Sequence, residues 1–505
     1  MKNKIIKLIL LLNFIAIQSF SQYVPDGSKI VATDWIDLTG DGVLQGSRTF
    51  LSPDGSTLLF SSPYDSLEYG ACWIYTRDSS GWNYQAKLVP DSVDGAAQIL
   101  GIGMNAAGNR IAIGGGANNF GVGAIWIFEL QNNIWVRTQK ITVQDTIGNS
   151  RLGQSIAMSP DGINLIAGGP EDNNLIGAVW TFEFNGTAYV QTQKIIPNDN
   201  IGIANFGISV NISKDGNRIA VGGPYDNSFI GAAWIFDKDT AGVWQQTGNK
   251  LVANDYLDSP FLGQAISLAP QGDVLAIGGH NNDVTSNNGI GPKGGSWIFS
   301  FNGTNWSQTT PRLLGTGYVP LTSVSQGISL ALSYSGDTLV VGGDNDENGE
   351  GSVWIFIRNG NNWIQSGNKI NPVDEDNGSF GAHFASSLSM DYSGENIAIG
   401  GASDADYIGA TWVYKISTLQ NIQGNTKANQ NEIVFYNNSI LAFKNLNNAT
   451  RIEIFDVTGR LNYSQKIELK TLALDIHPKI TTGLFLVVVR SENGDVLSYG
   501  KFIKL

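Results

Sequence analysis

Seven times along the chain a tryptophan stands three residues after a glycine and opens a short apolar run. GACWIY places Trp73, GAIWIF Trp126, GAVWTF Trp180, GAAWIF Trp234, GGSWIF Trp297, GSVWIF Trp354 and GATWVY Trp412. The spacing is a period of roughly 50 to 60 residues, in the range of one four-stranded propeller blade. Within a copy, an alternating segment such as GQSIAMSPDG turns at S-P-D-G into NLIAGGP, because Asp and Gly tolerate turn geometry. An acidic loop, the Trp strand, a polar hairpin and a fourth strand such as WQQTGNKLVAND follow. In W-I-F the first and third side chains share one face, so the aromatic pair packs on one neighbouring repeat and the middle residue on the other. One repeat cannot bury both faces of its sheet; seven together can.

The ends of the array decide between a ring and a linear stack. The seventh copy stops after GATWVYKIS without a fourth strand, which leaves an open edge. The missing strand is at the other end of the chain, where YVPDGSKIVATD (23–34) aligns without gaps with WQQTGNKLVAND (244–255) and WIQSGNKINPVD (363–374). A linear solenoid needs capping repeats and no such offset. The expected fold is all-β: a seven-bladed β-propeller over 22–417, four strands per blade, closed by the N-terminal strand.

Composition agrees. Sixty-one glycines against 15% charged residues suit many tight turns between short strands, and 42% hydrophobic content suits a packed globule. A net charge of −13 argues against nucleic acid or an anionic membrane surface as partner.

Residues 1–21 read as a signal peptide. Lys2, Lys4 and Lys7 precede an apolar stretch at 8–17 that is too short to span a membrane, and Ser19-Phe20-Ser21 forms a small-x-small cleavage site. The mature chain is expected to begin at Gln22 and to carry no transmembrane segment. Cys72 is the only cysteine, so an exported fold must be held by packing without an intramolecular disulfide.

The pattern FGISVNISKDGNRIAVGGPYDN resembles the FG-GAP repeat of integrin α-subunit propellers and bacterial surface proteins, over residues 22 to about 417. That family places an Asp-rich calcium loop between its first two strands; here the hairpin is S-K-D-G or S-P-D-G, too short for the six to eight oxygens calcium takes, so those metal sites do not carry over. TLQNIQGNTKANQ, 418–430, reads as a polar linker. Beyond it, 431–505 alternates as strands of a small β-sandwich, and I-F-D-x-x-G-R, T-G-L-F-L-V-V-V and the final G-K-F-I-K-L resemble the C-terminal sorting domain of type IX secretion cargo, although the family's Y-P-N-P opening is absent. The resemblance implies the type IX secretion machinery as a partner, passage through the periplasm, and release or anchoring at the cell surface.

Nothing in the chain singles out a catalytic set. His280, His383 and His477 are scattered over two repeats and the tail, and Cys72 occupies a position where other copies carry small or aliphatic residues. The loops after the second strand and those entering each blade emerge on one face. The first set carries Asp65, Glu171, Asp172, Asp226, Asp283, Asp344, Asp346, Asp404 and Asp406; the second Asp34, Asp37, Asp91, Asp94, Asp145, Asp199, Asp255, Asp258, Asp374 and Asp376. Asp172, Asp226, Asp283, Asp344, Asp346 and Asp404 are thereby candidates to line a ligand site, the ligand being an extracellular protein or glycan. The alternative is a hydrolase or lyase using carboxylates of that face, and Asp is also a preferred turn residue anywhere. In DNDENGEGS, Asp344, Asp346 and Asn348 fall at positions one, three and five of a calcium loop, with Gly349 at six. Position twelve is Ile355, so the bidentate acid is missing, and Ca2+ is expected only with help from carbonyls, water or a neighbouring loop.

Overall fold

The computed structural model describes residues 22–38, 40–283, 291–319, 322–360, 362–376 and 381–417, and the strands of 432–504. The proposed signal peptide, the linker and His477 lie outside the described residues. Residues Tyr23–Lys415 form one compact unit, and Ile416–Leu505 belong to a second.

The larger unit is a β-propeller of seven antiparallel four-stranded sheets. These are blade 1 (48–88), blade 2 (99–141), blade 3 (155–195), blade 4 (209–246), blade 5 (266–308), blade 6 (329–365) and blade 7 (384–417 with 22–25). The first strand of each blade packs on the first strand of the next, and Phe384–Met390 packs back on Arg48–Leu51, so the circle closes. Blade 7 takes its outer strand from Gln22–Pro25. The backbone N–H groups of Asp26 and Ile30 donate to the carbonyls of Val413 and Thr411, each at 2.7 Å, and buried Tyr23 donates its hydroxyl to the carbonyl of Gly394.

All seven Trp side chains are buried. Trp234 and Phe236 pack against Val179 and Ile195 of blade 3, while Ile235 packs against Trp297 and Phe299 of blade 5, as the alternation of W-I-F requires. Close approach of blades explains the paired glycines at the end of the second strand in blades 2 to 7, where blade 1 has Ser61-Ser62: a Cβ on Gly222 would stand 2.0 Å from the carbonyl oxygen of Gly263 in the next blade. At the same level Ser155, Ser209, Ser329 and Ser387 each donate a hydroxyl to a backbone carbonyl of the following blade, at 2.6 to 2.8 Å. Cys72 is buried among aliphatic side chains, and burial pushes its thiol pKa up, which suits packing rather than nucleophilic chemistry.

The second unit contains two antiparallel sheets. One holds Glu432–Tyr436, Ile440–Lys444 and Leu472–Asp475; the other holds Leu461–Lys466, Ala449–Asp456, Gly483–Ser491 and Val496–Lys504. Ile452, Ile454, Val487, Val488 and Val489 are its buried residues among those described. No helix among the described residues is long and apolar enough to cross a membrane.

Candidate binding site at the channel mouth

The acidic loops build the blades before they can build a site. After the second strand, six blades make a four-residue helical turn whose last three residues have positive φ, as at Asn227 (φ 50°), Ser228 (57°) and Phe229 (70°) of Asp226–Phe229. The turn's first side chain is fully enclosed and accepts a backbone N–H from the loop entering the same blade. Asp65 accepts from Ile36, Asp172 from Ile147, Asp226 from Ile201, Asp346 from Val319 and Asp404 from Asp376, at 2.6 to 2.9 Å. Asn118 and Asn282 accept from Asp94 and Leu257 in the same way, at 3.0 and 2.6 Å.

Where the residue is Asp, its other oxygen meets a lysine from the blade's outer strand or just beyond it. Lys87, Lys194, Lys250, Lys369 and Lys29 lie 2.5 to 2.8 Å from Asp65, Asp172, Asp226, Asp346 and Asp404 respectively. Lys87 and Lys194 also lie over the rings of Trp73 and Trp180, at 5.1 and 4.9 Å from the ring centres. The second acidic set caps the tryptophans. The indole N–H donates to Asp34, Asp145, Asp199 and Asp255 at 2.7 Å and to Asp374 at 3.0 Å; Trp126 and Trp354 use the carbonyls of Asp91 and Thr316.

Four of the six residues expected at a ligand, Asp172, Asp226, Asp346 and Asp404, therefore have their carboxylates turned inside the blades. Burial raises the Asp404 pKa, against the opposing pull of Lys29 and the N–H of Asp376. Asp283 stays partly exposed beside Lys293 and Arg312, at 3.4 and 3.5 Å. Asp344 is partly exposed and lies 3.9 Å from Nδ1 of His383.

Of the three positions expected for calcium, Asp344 is partly exposed, Asp346 is buried with the Lys369 ammonium 2.5 Å away, and Asn348 is exposed; the same ammonium lies 2.5 Å from Glu347. Among the described residues no group of three His, Cys, Asp or Glu is placed to hold a metal ion.

A second set of positions lies at the start of the innermost strands. Immediately before or near the start of the innermost strand of every blade stands a left-handed residue that is not glycine, and blade 7 has a second within the strand, Ala385 (φ 76°). The seven are Leu44 (φ 59°), Gln98 (56°), Arg151 (55°), Asn205 (56°), Phe261 (61°), Ser325 (57°) and His383 (48°). The innermost strands line the central channel, so these seven residues encircle its mouth on the helical-turn face. Their backbone geometry repeats; no two side chains are alike. An L-residue held there costs about 1–2 kcal/mol that glycine avoids. Asn205 and Ser325 turn inward and are buried, and the other five remain partly exposed.

Chemistry is distributed unevenly around this mouth. At blades 4 and 5, Phe261 lies 5.3 Å from Phe229 in a stacked arrangement, 6.1 Å from Tyr225 and 5.6 Å from His280. Phe229 is 40% exposed, so an aromatic platform opens to solvent. At blades 5 to 7, His280 and His383 both approach Asp344. Burial lowers the His280 pKa and the Asp344 charge opposes it; Nδ1 of His280 has no hydrogen-bond partner among the described residues. At blades 1 to 3, Arg151 lies 3.4 Å from Glu171 and 3.3 Å from Oε1 of Gln98, whose amide donates to Glu68 at 2.9 Å. A recess of about 310 Å³ opens there, lined by Arg48, Tyr64, Gln98 and Arg151, above a central cavity of about 400 Å³.

The sequence carried a signal for this set, namely the variable residue ahead of each apolar-alternating segment. It is visible only once the seven copies are aligned on their innermost strands.

No family model matches the chain, and no curated protein matches it. Its backbone is similar to Kuenenia stuttgartiensis hydrazine synthase, at 14% identity over 76% of this chain and 99% of that one, with a TM-score of 0.49. It is also similar to the WD40 repeats of RRP9, at 12% identity, 78% and 100% coverage and a TM-score of 0.46. The figures for U3-55K are 11% identity, 78% and 100% coverage and 0.47.

Proposed function

We propose that the chain is an extracellular binding or adhesion module: a seven-bladed propeller of FG-GAP-like repeats, exported by type IX secretion on its C-terminal domain, that holds a protein or glycan at the channel mouth of the helical-turn face. One observation carries this reading. Seven positions with a common, strained backbone conformation bear seven different side chains, whereas the tryptophans that hold the blades are the same in all seven. A purely structural role would favour one residue type, glycine above all, at every copy. An irregular mouth on a regular scaffold suits recognition of one asymmetric ligand.

The test is binding of the full chain to an array of glycans and to extracellular proteins, compared with a variant carrying Phe229→Ala and Phe261→Ala. Loss of the wild-type hits in the variant is the expected result. A variant that retains every hit would refute the mouth as the binding face.

A further inference from the structure

We propose that the recess at blades 1 to 3 seats the carboxylate of an acidic sugar on Arg48. This deepens the proposed function and rests on the mouth being the binding face. The starting point is a charge without a partner. All seven other arginines of residues 23–415 pair with a carboxylate, at 2.6 to 3.8 Å. Arg48 has none within 4.0 Å among the described residues; its Nη1 donates to the carbonyl of its neighbour Ser47 at 2.9 Å. In a chain of net charge −13 that isolation is unusual. Arg48 is partly exposed and lines both the central cavity and the recess above it. Partial desolvation lowers its pKa, with no neighbouring anion to oppose the shift.

Its place in the repeat argues against a structural duty. Arg48 pairs with Ser61 in the register where Ser155 pairs with Gly168, Ser209 with Gly222, Ser329 with Gly342 and Ser387 with Gly400. Those four serines latch their blade to the next through a carbonyl. Arg48 takes the position and has no such bond to blade 2. A guanidinium left unpaired in a partly desolvated site costs free energy, and a planar, bidentate acceptor is the complement it lacks.

The surroundings favour a sugar acid over other carboxylates. Ser47, Tyr64, Gln98 and Arg151 supply polar groups around Arg48, and Leu44 and Pro63 supply apolar wall. A pyranose presents that mixture, with polar edges and an apolar face. Gln98 is held by Glu68 and Arg151 by Glu171 and Gln98, so the recess is pre-formed; Glu171 compensates Arg151 and leaves Arg48 as the uncompensated charge.

Titration calorimetry of the full chain with glucuronate, glucose and acetyl-dialanine, each to about 10 mM, tests this. The variants are Arg48→Ser, which installs the residue of blades 3, 4, 6 and 7 and should unfold no earlier than wild type, and Arg48→Lys, which keeps charge without the fork. Glucuronate should bind wild type, lose about tenfold or more in affinity in Arg48→Ser and an intermediate amount in Arg48→Lys, and glucose should not bind. Equal glucuronate affinity in wild type and Arg48→Ser, or no heat from glucuronate, would overturn the proposal. So would preference for acetyl-dialanine, which would make the recess a peptide C-terminus site. If ligands found in the array are lost on Phe229→Ala plus Phe261→Ala but kept by Arg48→Ser, the mouth stands as the binding face and the carboxylate seat does not.

Discussion

The ammonium of Lys250 lies 2.5 Å from Oδ2 of Asp226, a carboxylate wholly shielded from solvent, while Oδ1 of the same group accepts the N–H of Ile201 at 2.6 Å. One side chain thus ties the helical turn of blade 4 to the loop that enters the blade and to the segment that leaves it. Four other blades repeat the arrangement with Asp and Lys. Asp226→Ala should cost about 3 kcal/mol, because it strands a largely buried ammonium and an amide N–H together. Asp226→Asn should cost less, since Asn118 and Asn282 hold the same backbone bond in blades 2 and 5. Urea unfolding of the two variants measures this, and an Ala variant within about 0.5 kcal/mol of wild type would remove the latch from the account.

Closure of blade 7 by the N-terminal segment predicts that a chain beginning at Trp35 loses several kcal/mol. It forfeits the buried surface of Tyr23 and Ala32, at about 25 cal/mol per Å² of apolar area, and the backbone bonds to Val413 and Thr411. It also strands Asp404 without Lys29 and leaves a sheet edge open. Thermal unfolding identical to that of the longer chain would show that the segment does not close the ring.

Stability should fall in acid in a way two residues can be made to reveal. Burial by itself raises the Asp199 pKa, but the N–H of Lys250, the Trp234 indole and the Gln246 amide outweigh it and hold the carboxyl below its ordinary value. Asp255 behaves alike, through the N–H of Arg312, Gln308 and Trp297. A depressed folded pKa means that the unfolded chain binds more protons as pH drops below about 4. The stabilisation is therefore complete above that pH and disappears as pH passes down through the folded values. Asp404, raised by burial, acts in the opposite sense. Asp199→Asn combined with Asp255→Asn should melt lower than wild type at neutral pH and lose less on acidification; parallel curves of melting temperature against pH would contradict the assignment.

Removing residues 431–505 should leave the propeller folded and hold it in the periplasm, since residues 23–415 form their own compact unit and the sorting resemblance lies wholly in the tail. Fractionation of the source cells reads the outcome. Normal amounts of the shortened protein outside the cell would end the type IX assignment.

The repeat, its four strands, the alternating W-I-F faces and the closing role of 23–34 were all legible in the residues, because each is a local pattern or a comparison between copies of one pattern. Strand alternation has a period of two, and turn chemistry follows from Asp, Gly and Pro themselves. These properties need no knowledge of what lies opposite.

Side-chain direction at the loops is another matter. Asp226 and Asp344 look alike in sequence, each an aspartate in the loop after a paired glycine, yet Asp226 is buried on Lys250 and Asp344 stands at the mouth beside His383. The difference is two residues of offset within the loop, and what fixes it is a lysine some 24 residues on, delivered just beyond the outer strand. His280 and His383, 103 positions apart, approach one aspartate because successive blades meet around an axis. The isolation of Arg48 likewise belongs to no stretch of sequence. A residue's charge is written in the chain, but whether that charge has a partner depends on which groups the closed ring brings within a few ångströms, and only the tertiary structure decides that.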